Sequence, residues 1–138
     1  MSEMVIDHPA VGERVVHKTF LPITRHTLAL YCGASGDHNP IHVDIDFAKA
    51  AGFPDVFSHG MLVMAYLGQA LTDAIAPRRI RSFSTRFAAI TQLGDRLTCE
   101  GHVAELIEHL GERRARLALT TKGENGELKL AGEAIIAL

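Results

Sequence analysis

Two cysteines in 138 residues, Cys32 and Cys99, are too few for a disulfide framework. A chain of this length buries enough core to need none, so both are read as reduced thiols. No run reaches the roughly 18 consecutive apolar residues of a membrane span. Residues 1–15, MSEMVIDHPAVGERV, lack an apolar h-region. No signal peptide is therefore expected, and a cytoplasmic location is. Neither sign of charge is in excess: a net charge of −2 gives no global pull toward nucleic acid or an anionic membrane. The glycine patterns of P-loops and dinucleotide folds are missing. GASGD (residues 33–37) is not the nucleophile elbow G-x-S-x-G, and no stretch interleaves aromatic and basic residues as an RNA-binding sheet does. With 47% hydrophobic and 22% charged residues, the composition is that of a single soluble domain over 1–138.

What the chain does hold is YCGASGDHNPIHVD, Tyr31 to Asp44. Pro40 fixes its own φ, removes a donor and pushes Asn39 out of the helical region. Gly36 supplies a joint just before Asp37. The spacing predicts a stiff, non-helical loop carrying Asp37, Asn39 and His42. A carboxylate and an imidazole held close together can pass a proton in both directions. The same residues also fit an Asx turn beside a solvated histidine, and the residues alone leave the two readings level. His38-x3-His42 has the spacing of a metal pair, with Asp44, Asp46 and His59 near in sequence. That spacing works on a helix, which Asn39-Pro40 interrupts, so no metal is expected. Nor do the acidic residues make a calcium loop, lacking its central glycine and terminal glutamate.

Around this loop, Val15 to Leu21 reads as a first strand ended by Pro22. Thr24 caps a short helix to about Tyr31, with Leu28 and Tyr31 or Cys32 on one face and Gly33 as the stop. A helical turn follows at Asp46 to Ala51. From Gly60 to about Ile75 the chain is apolar nearly all round, as a buried helix is, and Pro77 ends it. The second half alternates with period two, the mark of strands with one buried face. Phe83, Thr85 and Phe87 share a side, as do Leu97, Cys99, Gly101 and Val103. Ala115, Leu117 and Leu119 form a third set. Asn125-Gly126 is a hairpin signal, followed by Leu128, Leu130, Gly132, Ala134 and Ile136. One strand, a long apolar helix and then antiparallel strands give an α+β order.

Three blocks in this order resemble one family. SGDHNPIHVD (35–44) is similar to the signature of the MaoC-like dehydratases, also called hydratase 2 or (R)-specific enoyl-CoA hydratases. SHGML (58–62) matches that family's HGM motif in position. RFAAITQLGDRL (86–97) is similar to its later strand and Gly-Asp turn, with Ile90 where a proline is usual. The resemblance implies a hotdog fold, an antiparallel sheet wrapped around the long central helix. It implies a hydro-lyase that adds water to trans-2-enoyl-CoA, giving (R)-3-hydroxyacyl-CoA, or runs the reverse dehydration in fatty acid metabolism. Asp37 and His42 would be the catalytic acid–base pair. The backbone N–H of Gly60, at the helix start, would be the oxyanion donor. Asn39, Ser58 and His59 would support them, Ser58 and His59 by closing the loop against the helix. No cofactor is implied. Arg78, Arg79, Arg81 and Arg86 gather positive charge after the helix. Arg79, Arg81 and Arg86 suit the phosphates of coenzyme A, or else serve solubility on an exposed strand face. The rival activities are a hotdog acyl-CoA thioesterase and the catalytic subunit of a heteromeric 3-hydroxyacyl dehydratase acting on acyl carrier protein or an unusual acyl-CoA. A sheet edge left open invites pairing, so a homodimer or a heterodimer with a related chain is expected.

Overall fold

In the computed structural model, which describes residues 6–138, alternating buried positions in the second half of the chain build one antiparallel sheet. Residues 1–5, part of the stretch read above for a leader, lie outside the described residues. The strands are β1 (Arg14–Thr19), β2 (Ile80–Phe87), β3 (Thr98–His109), β4 (Glu112–Lys122) and β5 (Leu128–Ala137), ordered β1-β3-β4-β5-β2. Leu97, Cys99 and Val103, then Ala115, Leu117 and Leu119, then Leu130, Ala134 and Ile136 all point to the buried face. Period two therefore marks the core side of each long strand. Gly132 on β5 is obligatory, since a Cβ there would stand 2.2 Å from the carbonyl oxygen of Ser84 on β2.

Three helices occupy the chain between β1 and β2: α1 (Arg25–Ser35), α2 (Ile45–Ala50) and α3 (Gly60–Ala74). The long α3 lies across the sheet against β1, β3, β4 and β5. It buries Leu62, Val63, Leu67, Ala70 and Leu71, while Met61, Ala65 and Gln69 stay open. The run of apolar residues predicts burial all round. A five-stranded sheet covers only one side of a helix, so the other side is bare. No helix among the described residues is long and apolar enough to cross a membrane.

The capping expected at Thr24 is present, its side chain accepting from the N–H of Thr27. The helix it starts runs through Gly33 and stops at Gly36, which takes the left-handed φ of 76°. Gly33 is tolerated because Leu28 and Cys32 already anchor α1 in the core. Pro40 also differs from expectation, opening a single 3-10 turn (Pro40–His42). At the first position of a turn the missing N–H is one that would be unpaired anyway. Asn39 meanwhile keeps the extended ψ of 119° that a following proline demands.

Candidate active site

The loop between α1 and α2 is held by its own polar side chains. Ser35 Oγ accepts from the N–H of Asp37 at 3.1 Å, and Asp37 Oδ1 accepts from the N–H of Asn39 at 3.2 Å. Asn39 Oδ1 accepts in turn from the N–H of Ile41 at 3.1 Å. Asp44 caps α2, taking the N–H groups of Asp46 and Phe47. The Asx turns are real, and they fix the backbone that displays Asp37. Asn39 serves this turn.

His42 is buried although Asp37, His38, Asn39, Pro40, Val43 and Asp44 around it on the loop are exposed. Its Nδ1 is 2.7 Å from the carbonyl oxygen of Phe57. A carbonyl only accepts, so Nδ1 carries the proton and Nε2 of the neutral ring keeps a lone pair. The Phe57 ring meets His42 edge-on at 5.4 Å. On another side His59 stacks on His42, with centroids 3.8 Å apart and planes 26° from parallel. One carboxylate oxygen of Asp37 and one ring nitrogen from each histidine lie within 4.8 Å of one another. One carboxylate and two imidazole rings are thus gathered from residues as far as 22 apart in sequence. They are not a ready joint metal site. An imidazole lone pair lies in its ring plane, and no point at bonding distance lies in the planes of two rings stacked this way.

His59 Nε2 is 3.3 Å from the carbonyl oxygen of Asp37 and 3.5 Å from Cys32 Sγ, while Nδ1 is buried with no hydrogen-bond partner among the described residues. Burial first, and His42 second, hold its pKa below the usual imidazole value. Burial, helped by the Asp37 charge, pushes the Tyr31 hydroxyl up. Ser58 is buried, donates its Oγ–H to the carbonyl of His59 and ties its N–H to Thr91.

Gly60 begins α3, and His59 supplies no side-chain cap there. The first N–H groups of a 15-residue helix are therefore presented with the positive end of its dipole. Gly60 lines a cavity of about 330 Å³ together with His42, Val63, Phe87, Ile90 and Leu130 among others. Asp37 does not line it and stands beside it on the exposed loop. A Cβ on Gly60 would come within 3.1 Å of the Phe87 ring, so glycine is what lets that ring lie over the helix start.

The three arginines divide. Arg79 donates to the carbonyls of Ala137 and Ile6 and pairs with Asp7 at 3.6 Å. Arg81 makes a two-pronged pair with Glu112, both contacts 3.0 Å, and with Arg114 holds that carboxyl down at about 2. Arg86 on β2 is exposed.

Three contributors escape the sequence reading. Phe57 acts through its carbonyl, for which side-chain identity gives no signal. Thr91 anchors Ser58 through a backbone oxygen. Lys129 is buried, donating to the carbonyl of Ile90 at 2.9 Å and pairing with Glu127 and Asp95. Alternation along β5 would put it in solvent; the loop over residues 88–95 covers it.

A five-stranded antiparallel sheet packed over one long helix is the hotdog architecture. A family model described as a MaoC-like domain matches residues 7–123. The chain belongs to the MaoC-like domain family. It is 34% identical over 80 residues, 56% of its length, to the peroxisomal enoyl-CoA hydratase 2 of Arabidopsis thaliana. It covers 26% of that relative, and between 5% and 28% of the first curated relatives it matches. Among solved structures, it superposes on the unliganded R-hydratase PhaJ1 of Pseudomonas aeruginosa with a TM-score of 0.79 and 31% identity. That match covers 93% of this chain and 81% of the other. The (R)-hydratase of A. caviae involved in PHA biosynthesis gives a TM-score of 0.81 at 25% identity, covering 96% and 98%.

Proposed function

We propose that this protein is a hydro-lyase that reversibly adds water to a trans-2-enoyl thioester, with coenzyme A as the carrier, to give the (R)-3-hydroxyacyl thioester. Similarity to the two R-hydratases supports the class. One observation supports the chemistry most: the His42 ring and the Gly60 end of α3 share one cavity wall, with the Asp37 carboxylate beside the ring.

Hydration places oxygen on C3 and a proton on C2, passing through an enolate whose charge sits on the thioester oxygen. That oxygen would accept from the Gly60 N–H, where the helix dipole favours negative charge. Water would be held between the Asp37 carboxylate, one oxygen of which is free of Asn39, and the Nε2 lone pair of His42. Its oxygen bonds to C3 as one proton passes to the pair, and one proton returns from the pair to C2. The site ends as it began, with H₂O added across the double bond. Removing either member would cost about 10²–10⁴ in rate. The acyl chain would lie against Val63, Phe87, Ile90 and Leu130. Among the arginines read for coenzyme A, Arg86 suits the phosphates best, because Arg79 and Arg81 already hold structural partners. Apolar surface at Met61, Phe87 and Ile90 is exposed beside the cavity, which fits an assembly with a second copy or a related chain.

The test is to mix the protein with crotonyl-CoA and a longer trans-2-enoyl-CoA and follow the loss of conjugated-enoyl absorbance, with chiral analysis of the product. Loss of absorbance yielding the (R)-alcohol is expected. Unchanged absorbance with free thiol appearing would replace this reading with a thioesterase.

A further inference from the structure

His59 gives α3 no cap, yet its ring meets both members of the proposed pair. It is only 2% exposed. Its face lies on His42 at 3.8 Å, and its Nε2 lies 3.3 Å from the backbone oxygen of Asp37. That oxygen can only accept, so Nε2 carries the proton and Nδ1 the lone pair. Nδ1 then lies buried without a partner among the described residues, an arrangement that disfavours imidazole at this position. A phenyl ring would fill the space and stack without that orphan. What phenyl lacks is the donor to Asp37. The remaining titratable neighbours are Tyr31, edge-on at 4.7 Å, and Cys32, both from α1. Neither joins the two proposed catalytic groups.

We infer that His59 is the positioning residue that couples Asp37 to His42, gripping the Asp37 backbone with its Nε2–H and the His42 ring with its face. The inference rests on Asp37 and His42 being the acid–base pair proposed above. Both contacts come from one buried, rigid ring. A shift of the Asp37 loop is therefore felt at His42, and the pair keeps a single separation through the proton transfers.

Three variants dissect the two contacts. His59→Gln keeps a side-chain N–H near the position of Nε2 and loses the ring. His59→Phe keeps the stack and loses the donor. His59→Ala loses both. A loss of about 10²-fold in kcat is expected for His59→Ala, with KM nearly unchanged and the other two variants intermediate. Wild-type kcat in His59→Ala, or a loss confined to KM, overturns the inference. A second readout needs no turnover: the His42 ring titration, followed by NMR in the wild type, Asp37→Asn, the His59 variant and the double variant. The displacement of the His42 midpoint by Asp37→Asn is expected to fall to about half or less once His59 is replaced. An equal displacement in both backgrounds overturns the coupling. Should His59→Ala fail to fold, His59→Phe, which fills the same volume, takes its place in the cycle. A wild type that hydrates no enoyl thioester would sink the functional reading, and the NMR cycle would still decide the role of His59.

Discussion

Gly60 allows one hydrogen-bond donor to be deleted without unmaking the helix that carries it. It is the first residue of α3, where proline is tolerated, and the preceding His59 sits at φ −56° and ψ 136°, a conformation that suits a residue before proline. Gly60→Pro removes the N–H proposed to face the enolate oxygen, and a fall of about 10²–10³ in kcat is expected. Gly60→Ala is the control for bulk, since its Cβ also meets Phe87 but its N–H remains. Steady-state kinetics on the two side by side check this: equal losses would assign the effect to Phe87. His59 makes a pH prediction. Its folded pKa is depressed, so the unfolded chain binds a proton there first as pH falls. The stability it contributes is complete above about pH 6.5 and is lost below it as pH falls toward the folded value. Urea melts from pH 7.5 to 5 should show a shallower decline for His59→Gln than for the wild type.

The β3–β4 hairpin turns on Leu110 and Gly111, at φ 50° and 82°, the two-residue turn that needs left-handed backbone at both places. Leucine there is strained and 94% exposed. Leu110→Asn should stabilise the protein by about 1 kcal/mol, read from the urea midpoint. Asn125-Gly126, the pair that signals a hairpin, sits instead in a three-residue connection (124–126) in which only Gly126 has positive φ. Dipeptide chemistry located one hairpin and passed over the tighter one, because leucine is not a residue that marks a left-handed turn. Along β5 the alternating pattern finds the core residues but misreads Lys129, whose covering comes from a loop distant in sequence. Lys129→Met leaves Asp95 and Glu127 without their cation and the Ile90 carbonyl without its donor. A loss of about 3 kcal/mol is expected by urea denaturation. Hydrogen exchange over residues 88–95 should rise with it.

Across the whole molecule, the order of elements was legible because each long element has one dominant period and one buried face. The motif loop was legible too, since glycine, proline and asparagine act locally on the backbone. What local pattern could not show is the meeting of residues 37–42 with 57–60 and 87–91. That meeting depends on where α3 lies across the sheet, and it runs through backbone oxygens of Phe57, Asp37 and Thr91 that any side chain would offer. Spacing singled out Asp37 and His42, the family resemblance made them a pair and named His59 as a support, and the contacts of His59 with both follow only from the fold. If the two act as one unit on one water, their losses cannot multiply. The deciding measurement is kcat for crotonyl-CoA hydration by the wild type, Asp37→Asn, His42→Ala and the double variant. Each single variant is predicted to fall by about 10²–10⁴, with the double no slower than the worse single. A single variant that keeps the wild-type rate, or a double whose loss is the product of the two, would contradict a shared acid–base pair.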